Sequence, residues 1–376
     1  MLSNLHISGF KCFDTLDLEV KPLTLLAGVN GGGKSSVLQA LVLLAQTFAC
    51  REWGRRLLLD GPELALGSVA DVLSQYSGRR ELTLGVTAEG ERIDWTFKAE
   101  DRRALAIDLI NVEIDGEDAP LGDAVRWLLP AARAESSTVV STLRRLSWIT
   151  AERSGPRPLL PLKDADGHQR VGHRGELAAG LLYWRESDEV APALCIPDTP
   201  PTLFHQVRAH MQEIFPGCDL RVSPIDGASA VSLRFRSDSR ADFQRPQNVG
   251  FGLTQLFPIV VALLAAAEGD VLLIENPEVH LHPGAQQYIG TLAARTAASG
   301  VQLIVETHSD HVLNGVRLAV KRQTIPAPDV AIHFFGRAQA GQAAQPVSPK
   351  LDADGRLDTW PEGFFDQLDL ALSELL

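Results

Sequence analysis

Leu16, Leu18 and Val20 alternate with Asp17 and Glu19, a period of two that predicts a half-buried strand. Leu23-Thr24-Leu25-Leu26-Ala27 follows as a short buried strand running into glycines. Val37, Leu41, Leu44 and Phe48 then recur at helical spacing, so residues 1–50 read strand, strand, loop, helix. Residues 80–115 predict an antiparallel meander: Leu82, Leu84 and Val86 alternate, as do Ile93, Trp95 and Phe97, with Glu89-Gly90 as the turn. Residues 120–147 have a helical composition, 146–150 read as a strand, and 154–175, rich in Gly, Pro, Arg and Asp, as a loop. Residues 183–216 suit a helix, although no apolar heptad persists there. The last third alternates helix and strand. Helices are expected at about 253–267 and 284–298 and after a Ser309 cap, with strands at 271–274, 301–305 and 330–335. That rhythm predicts a mainly parallel sheet that binds ligands at its strands' carboxyl ends.

Length adds that one large domain or two moderate ones fit in 376 residues. The net charge of −12 argues against general attraction to nucleic acid or anionic membrane. Residues 350–376 carry seven acids against Lys350 and Arg356, so a basic patch elsewhere stays open. Cys12, Cys50, Cys195 and Cys218 form no CxxC pair and read as free thiols of a reducing compartment. The longest apolar run, residues 256–267, is too short to span a bilayer, and the start shows no signal segment. A cytoplasmic protein is expected.

The chemistry starts at Gly28-Val29-Asn30-Gly31-Gly32-Gly33-Lys34-Ser35, which fits GxxxxGK[ST] between a strand and a helix. Glycines turn the backbone so that its N–H groups and the helix N-terminus face a β-phosphate. Lys34 supplies a cation at the β/γ-phosphates, and Ser35 a hydroxyl for Mg²⁺. A second element, residues 270–278, is a buried strand ending in Glu275-Asn276-Pro277-Glu278, the placement a Mg²⁺-nucleotide site needs. A third, Glu306-Thr307-His308-Ser309-Asp310-His311, puts His308 where it can meet a γ-phosphate or an attacking water. His280, His282, His308 and His311 also carry HxH and HxxH spacings. The nucleotide reading is preferred to zinc because no nearby cysteines complete a tetrahedral set and Pro283 separates the first pair from the following helix. A fourth element, from Asn248 through Gly250, Phe251, Gly252 and Thr254 to Gln255, is a glycine-rich helix start. An anion site and a plain turn fit it equally well.

The order of these four elements resembles the ABC-class ATPase heads of the SMC, RecF and OLD groups, and most nearly bacterial ATPases labelled AAA-family. The opening Ile7-Ser8-Gly9-Phe10-Lys11-Cys12-Phe13, residues 151–157, residues 245–252 and Trp360-Pro361-Glu362-Gly363-Phe364-Phe365-Asp366 look like hallmarks of that subgroup. The resemblance implies a P-loop α/β fold with a mainly parallel sheet, an antiparallel β meander and a helical insertion. It implies one split head over 1–376, with a Walker A lobe (1–60), the meander (61–118), an insertion (119–240), a signature, Walker B and switch-histidine lobe (241–340) and an acidic segment (341–376). Its ligands would be ATP and Mg²⁺. Lys11, Gly28, Asn30, Gly31, Gly33, Lys34, Ser35 and Ser36 would hold the nucleotide. Gly250, Gly252 and Thr254 would meet the nucleotide of a second chain in a head-to-tail homodimer. Ser35, Glu275 and, as a stand-in for a glutamine, Glu152 would serve the metal, and His308 would be the switch.

One departure matters. Many ABC heads read Asp-Glu-Pro where this chain reads Glu275-Asn276-Pro277, and an asparagine orients a water but takes no proton. Either Glu278 is the base, or the protein is a slow switch. The expected function is an ATPase switch controlling a separate nuclease or toxin, because the 40 or so residues after Phe335 are too few for a nuclease domain. A RecF-like DNA-repair clamp, with phosphate contacts from Arg51, Arg55, Arg56, Arg144, Arg145, Arg153 and Arg157, and an ATP-bound scaffold without turnover are the alternatives.

Overall fold

The computed structural model describes residues 1–74, 78, 80–164, 170–336, 345–361, 363, 364 and 375. The expectations attached to Glu362, Phe365, Asp366, Asp369 and Glu374 lie outside the described residues. The chain divides into two units, one of Met1–Leu146, Pro328–Leu351 and Leu357–Leu376, the other of Ser147–Ala327 and Asp352–Arg356.

In the first unit the alternating segments form an antiparallel sheet. Phe13–Glu19 pairs with Leu2–Phe10, which pairs with Glu81–Ala88, then Glu91–Lys98, Ala106–Ile114 and Arg56–Leu58. The meander is the one expected, with Glu89-Gly90 at its turn. Both residues have positive φ, as a tight hairpin turn requires. Leu23–Gly28, buried along nearly its whole length, pairs parallel with Val330–Phe335, so sequence-distant segments share one register from Leu23↔Val330 to Gly28↔Phe335. The helix Lys34–Cys50 is buried from Val37 through Phe48 except for Gln39, and Phe48 meets Trp95 edge-on with ring centroids 6.1 Å apart.

The helix expected over 120–147 is broken up. Trp127 and Leu128 both have positive φ and turn the chain between the short strands Val125–Arg126 and Leu129–Pro130, leaving helices only at Ala131–Ala134 and Thr138–Arg144. Tertiary contact overrides composition there, since Trp95 Nε1 donates to the Leu128 carbonyl at 3.0 Å.

In the second unit Val271–Glu275 and Gln302–Glu306 pair parallel, with Leu146–Ile149 beside Val271–Glu275. Helices Phe251–Ala265, Pro283–Ala298 and Asp310–Lys321 fall within two residues of expectation, and Ser309 Oγ caps the last by accepting from Val312 N. Gly290 and Gly315 let the latter two helices touch: a Cβ on either would stand 2.2 Å from a carbonyl oxygen of the other helix. A hairpin of Asp219–Pro224 and Ala230–Arg236, which the hydrophobic pattern does not predict, carries a third strand at Leu160–Pro161, inside the expected loop. Of 183–216, only Leu203–Ile214 forms a full helix, because Pro192, Pro197, Pro200 and Pro201 punctuate the stretch before it. No described helix is long and apolar enough to cross a membrane.

Candidate functional site

The phosphate loop is made by backbone geometry. Gly28 ends its strand at φ 132°, and a Cβ there would stand 2.2 Å from the Phe335 carbonyl oxygen. Val29 N donates to that same carbonyl at 3.0 Å. Gly33 is the helix N-cap at φ 107°, with no side-chain capping bond and no acid in the first turn. A 17-residue helix that starts without a side-chain acceptor or a negative charge suits a bound anion. Lys34, 3% exposed, turns its ammonium back onto the loop and donates to the Gly28 and Val29 carbonyls at 3.1 and 2.9 Å. Ser35 and Ser36 lie half-buried in the first turn, while Asn30 and Gly31 are exposed at the tip.

Lys11, in the left-handed region at φ 51°, donates to Gln39 of the same helix. Burial lowers its pKa, against the pull of Cys12 and Asp71. Cys12 closes the other flank of the loop, its Sγ 2.8 Å from where a Gly33 Cβ would stand.

The second unit holds the carboxylates. Glu275 ends its strand opposite Glu306, and its two oxygens accept from Trp148 Nε1 at 3.2 Å and Ala151 N at 3.0 Å. Burial raises its pKa, opposed by those two bonds and by Arg153. Asn276 takes φ 43°, a conformation Asn tolerates better than most residues, and its N–H donates to the Glu306 carbonyl at 2.8 Å. The turn carries the chain to Glu278. There Oε1 accepts the His308 N–H at 2.7 Å and Oε2 the Thr307 hydroxyl at 2.8 Å. Burial raises the Glu278 pKa too, with the His308 N–H the first of the opposing causes.

Arg153 binds this corner together. Its guanidinium donates to the carbonyls of Glu275 and Asn276 at 3.0 and 2.9 Å and to Gln255 Oε1 at 3.3 Å. It is 5% exposed, and burial lowers its pKa to about 10, so it stays charged at neutral pH. Sequence reasoning does not assign Trp148, Arg153, Gln255 or Thr307 to this site. It groups Arg153 with candidate DNA contacts, and the burial of Arg153 takes it off any surface. Of that group, Arg56 pairs with Asp108 at 3.0 Å and Arg144 lies over the Trp127 ring, while Arg51, Arg55 and Arg157 are exposed.

Glu152, one residue from Arg153, points outward with its side chain 83% exposed and pairs with Arg174 at 2.7 Å. His308 has an exposed side chain. Pro283 opens its helix instead of separating it from the histidines, because a proline at the first helical position forfeits only an N–H that has no intrahelical partner, and His282 is the N-cap. His280 meets Phe251 edge-on at 4.6 Å. At the glycine-rich helix start, Gly250 is exposed, with open space where a Cβ would stand, whereas a Cβ on Gly252 would stand 2.9 Å from the His280 carbonyl oxygen. Thr254 is buried, and its hydroxyl donates to the Phe251 carbonyl.

This sequence matches, over residues 23–314, the family described as "AAA domain, putative AbiEii toxin, Type IV TA system". The chain belongs to that AAA family. Residues 325–375 match a second family, described as "Protein of unknown function (DUF3696)". An OLD nuclease of Thermus scotoductus is 41% identical over 403 aligned positions, which cover 96% of this chain and 69% of that protein. Among solved structures, an Smc head domain with an extended coiled coil, bound to the C-terminal domain of ScpA derived from Pyrococcus furiosus, superposes with a TM-score of 0.52 at 12% identity. The match covers 100% of this chain and 99% of that one. An SmcHead bound to the C-winged helix domain of ScpA gives 0.50 at 15% identity, over 93% and 98%. The fold is therefore that of a P-loop ATPase of the ABC type, and this AAA-family chain is expected to bind nucleotide.

Proposed function

We propose that the chain is an ATP-hydrolysing switch that dimerises around ATP and controls a separate effector, a nuclease or a toxin, in prokaryotic anti-phage defence. The observation that carries the hydrolytic part is the fixed carboxylate of Glu278, gripped by Thr307 and the His308 N–H in a setting that raises its basicity. Such a group is oriented and suited to take a proton from water, which the Asn276 amide beside it cannot do.

In this reading Gly28, Asn30, Gly31, Gly33, Lys34, Ser35 and Ser36, with Lys11, receive the phosphates. Lys34 gives up the Gly28 and Val29 carbonyls for them, exchanging neutral acceptors for anionic ones. Ser35 and Glu275 supply hard oxygen ligands suited to Mg²⁺, which when bound neutralises charge on the phosphate oxygens. Glu278 is the base, Asn276 orients the water, and His308 is the switch whose movement would pull directly on Glu278 through their shared hydrogen bond. The toxin–antitoxin wording of the family and the nuclease name of the relative support the effector and the defensive setting.

The dimer is tested by mixing chains. Gly252→Asp is a poor probe because the His280 carbonyl already fills the space beside it. Gly250→Asp meets open space and reports on a partner's nucleotide. Lys34→Ala and Gly250→Asp chains should each be silent alone, and their mixture should recover turnover at the one intact composite site. An inactive mixture, with mixed dimers verified by sedimentation, would refute a site shared between chains.

A further inference from the structure

We propose that Arg153 is a positioning residue that couples the first turns of the helix Phe251–Ala265 to the turn carrying Glu278. The proposal rests on the hydrolytic reading above and adds the route by which that site is regulated.

A guanidinium is a rigid planar fork, so its donors move together. On one side Arg153 holds two successive carbonyls, those of Glu275 and Asn276, at 3.0 and 2.9 Å. On the other, Nε reaches Gln255 Oε1 at 3.3 Å, a longer bond than either of those two, and Nη1 also donates to the Thr150 carbonyl of its own loop at 3.4 Å. Gln255 is 4% exposed and sits one turn beyond Gly250 and Phe251. Phe251 is 43% exposed, so the surface that a second molecule would touch lies a single helical turn from the buried fork.

The carbonyls held by Arg153 belong to a backbone that needs holding. Asn276 occupies the left-handed region, where a non-glycine residue is strained. Its side-chain oxygen is buried and accepts no hydrogen bond from the described residues, so the side chain does not anchor the turn through that oxygen. Besides Arg153, the Asn276 backbone is held by its N–H bond to the Glu306 carbonyl at 2.8 Å and by a longer turn bond, from Val279 N to the Asn276 carbonyl, at 3.3 Å. Two residues on, Glu278 is tied at its far end to Thr307 and His308. A shift of Gln255 therefore either breaks the 3.3 Å bond or rotates the fork, and a rotated fork moves the turn that aims Glu278. A contact at Gly250 and Phe251 would set the aim of the base without touching it.

The test uses Arg153→Lys and Gln255→Leu in the full chain, with ATP turnover, ATP affinity and amide hydrogen exchange as readouts. Lysine keeps a charge but cannot bridge the Glu275 and Asn276 carbonyls and Gln255 together. Arg153→Lys should lower kcat by roughly 10- to 100-fold, the scale of a small misplacement of a reacting group, with nucleotide affinity within about twofold. Gln255→Leu should lower it less. The double variant should be no slower than Arg153→Lys alone, because both changes cut one route. Independently of turnover, Gln255→Leu should speed exchange at Asn276 and Val279 and leave the phosphate loop unchanged. Unaltered exchange there, or additive kinetic losses, would overturn the coupling. A wild-type chain that binds ATP but never hydrolyses it would sink the hydrolytic reading instead, and the exchange experiment would still decide the coupling.

Discussion

The phosphate loop and the Glu275–Glu278 corner do comparable work by opposite means. The loop is one run of eight residues whose shape comes from glycine backbone angles, and its bonds to Lys34 span five and six positions. The corner draws on residues 148–153, 255, 275–278 and 307–308, and its bonds to Glu275 span 124 and 127 positions. A backbone-built site is specified locally and fails as a whole when its one cation is lost. A site built from side chains of distant segments is a shared arrangement in which each member contributes a graded part.

That contrast can be broken at its strong end first. Lys34→Ala should reduce ATP turnover to background and abolish tight ATP binding, because no neutral side chain replaces its charge-assisted bonds to phosphate. Near-normal affinity by calorimetry would show that the loop is not the phosphate site. At the corner, Glu278→Gln should slow single-turnover hydrolysis by about 10²–10⁴-fold while ATP still binds, the usual contribution of a general base. Asn276→Glu should then give little gain. A silent Glu278→Gln with a faster Asn276→Glu would instead make the protein a slow switch.

A gentler probe is pH. Burial raises the Glu278 pKa above its ordinary 4.5, and only the ionised form accepts a proton, so single-turnover rate should fall as pH drops through that raised value. The acidic limb should lie above pH 4.5 and change shape or vanish in Glu278→Gln. A limb identical in both proteins would assign it elsewhere. The smallest effect is expected at Glu152, whose exposed pair with Arg174 belongs to a class contributing about 0.2–1 kcal/mol. Glu152→Gln should leave Mg²⁺-dependent turnover within about twofold, and a large rise in the Mg²⁺ requirement would restore it as a metal-site residue.

The strands 271–274 and 330–335 showed as short runs without alternation, buried at nearly every position, whereas the meander was legible from its period of two and the helix after the glycines from its helical spacing. The 120–147 region was not: two residues of positive φ at Trp127 and Leu128 turn a helical composition into a hairpin, and the Trp95 indole, some thirty positions away, supports it. The carboxylates themselves were legible because a buried strand ending in acids is a local pattern. Their environment was invisible, because nothing in Ala151-Glu152-Arg153 says which side chain faces in. The sequence alone determined where the glycine loop lies and how it is shaped, since glycine torsions and a lysine one step into a helix are properties of a contiguous segment. Only the tertiary structure decided that Arg153 is buried beneath Glu275 and Asn276 while Glu152 faces outward, because burial depends on which distant backbones arrive with carbonyls in need of a donor.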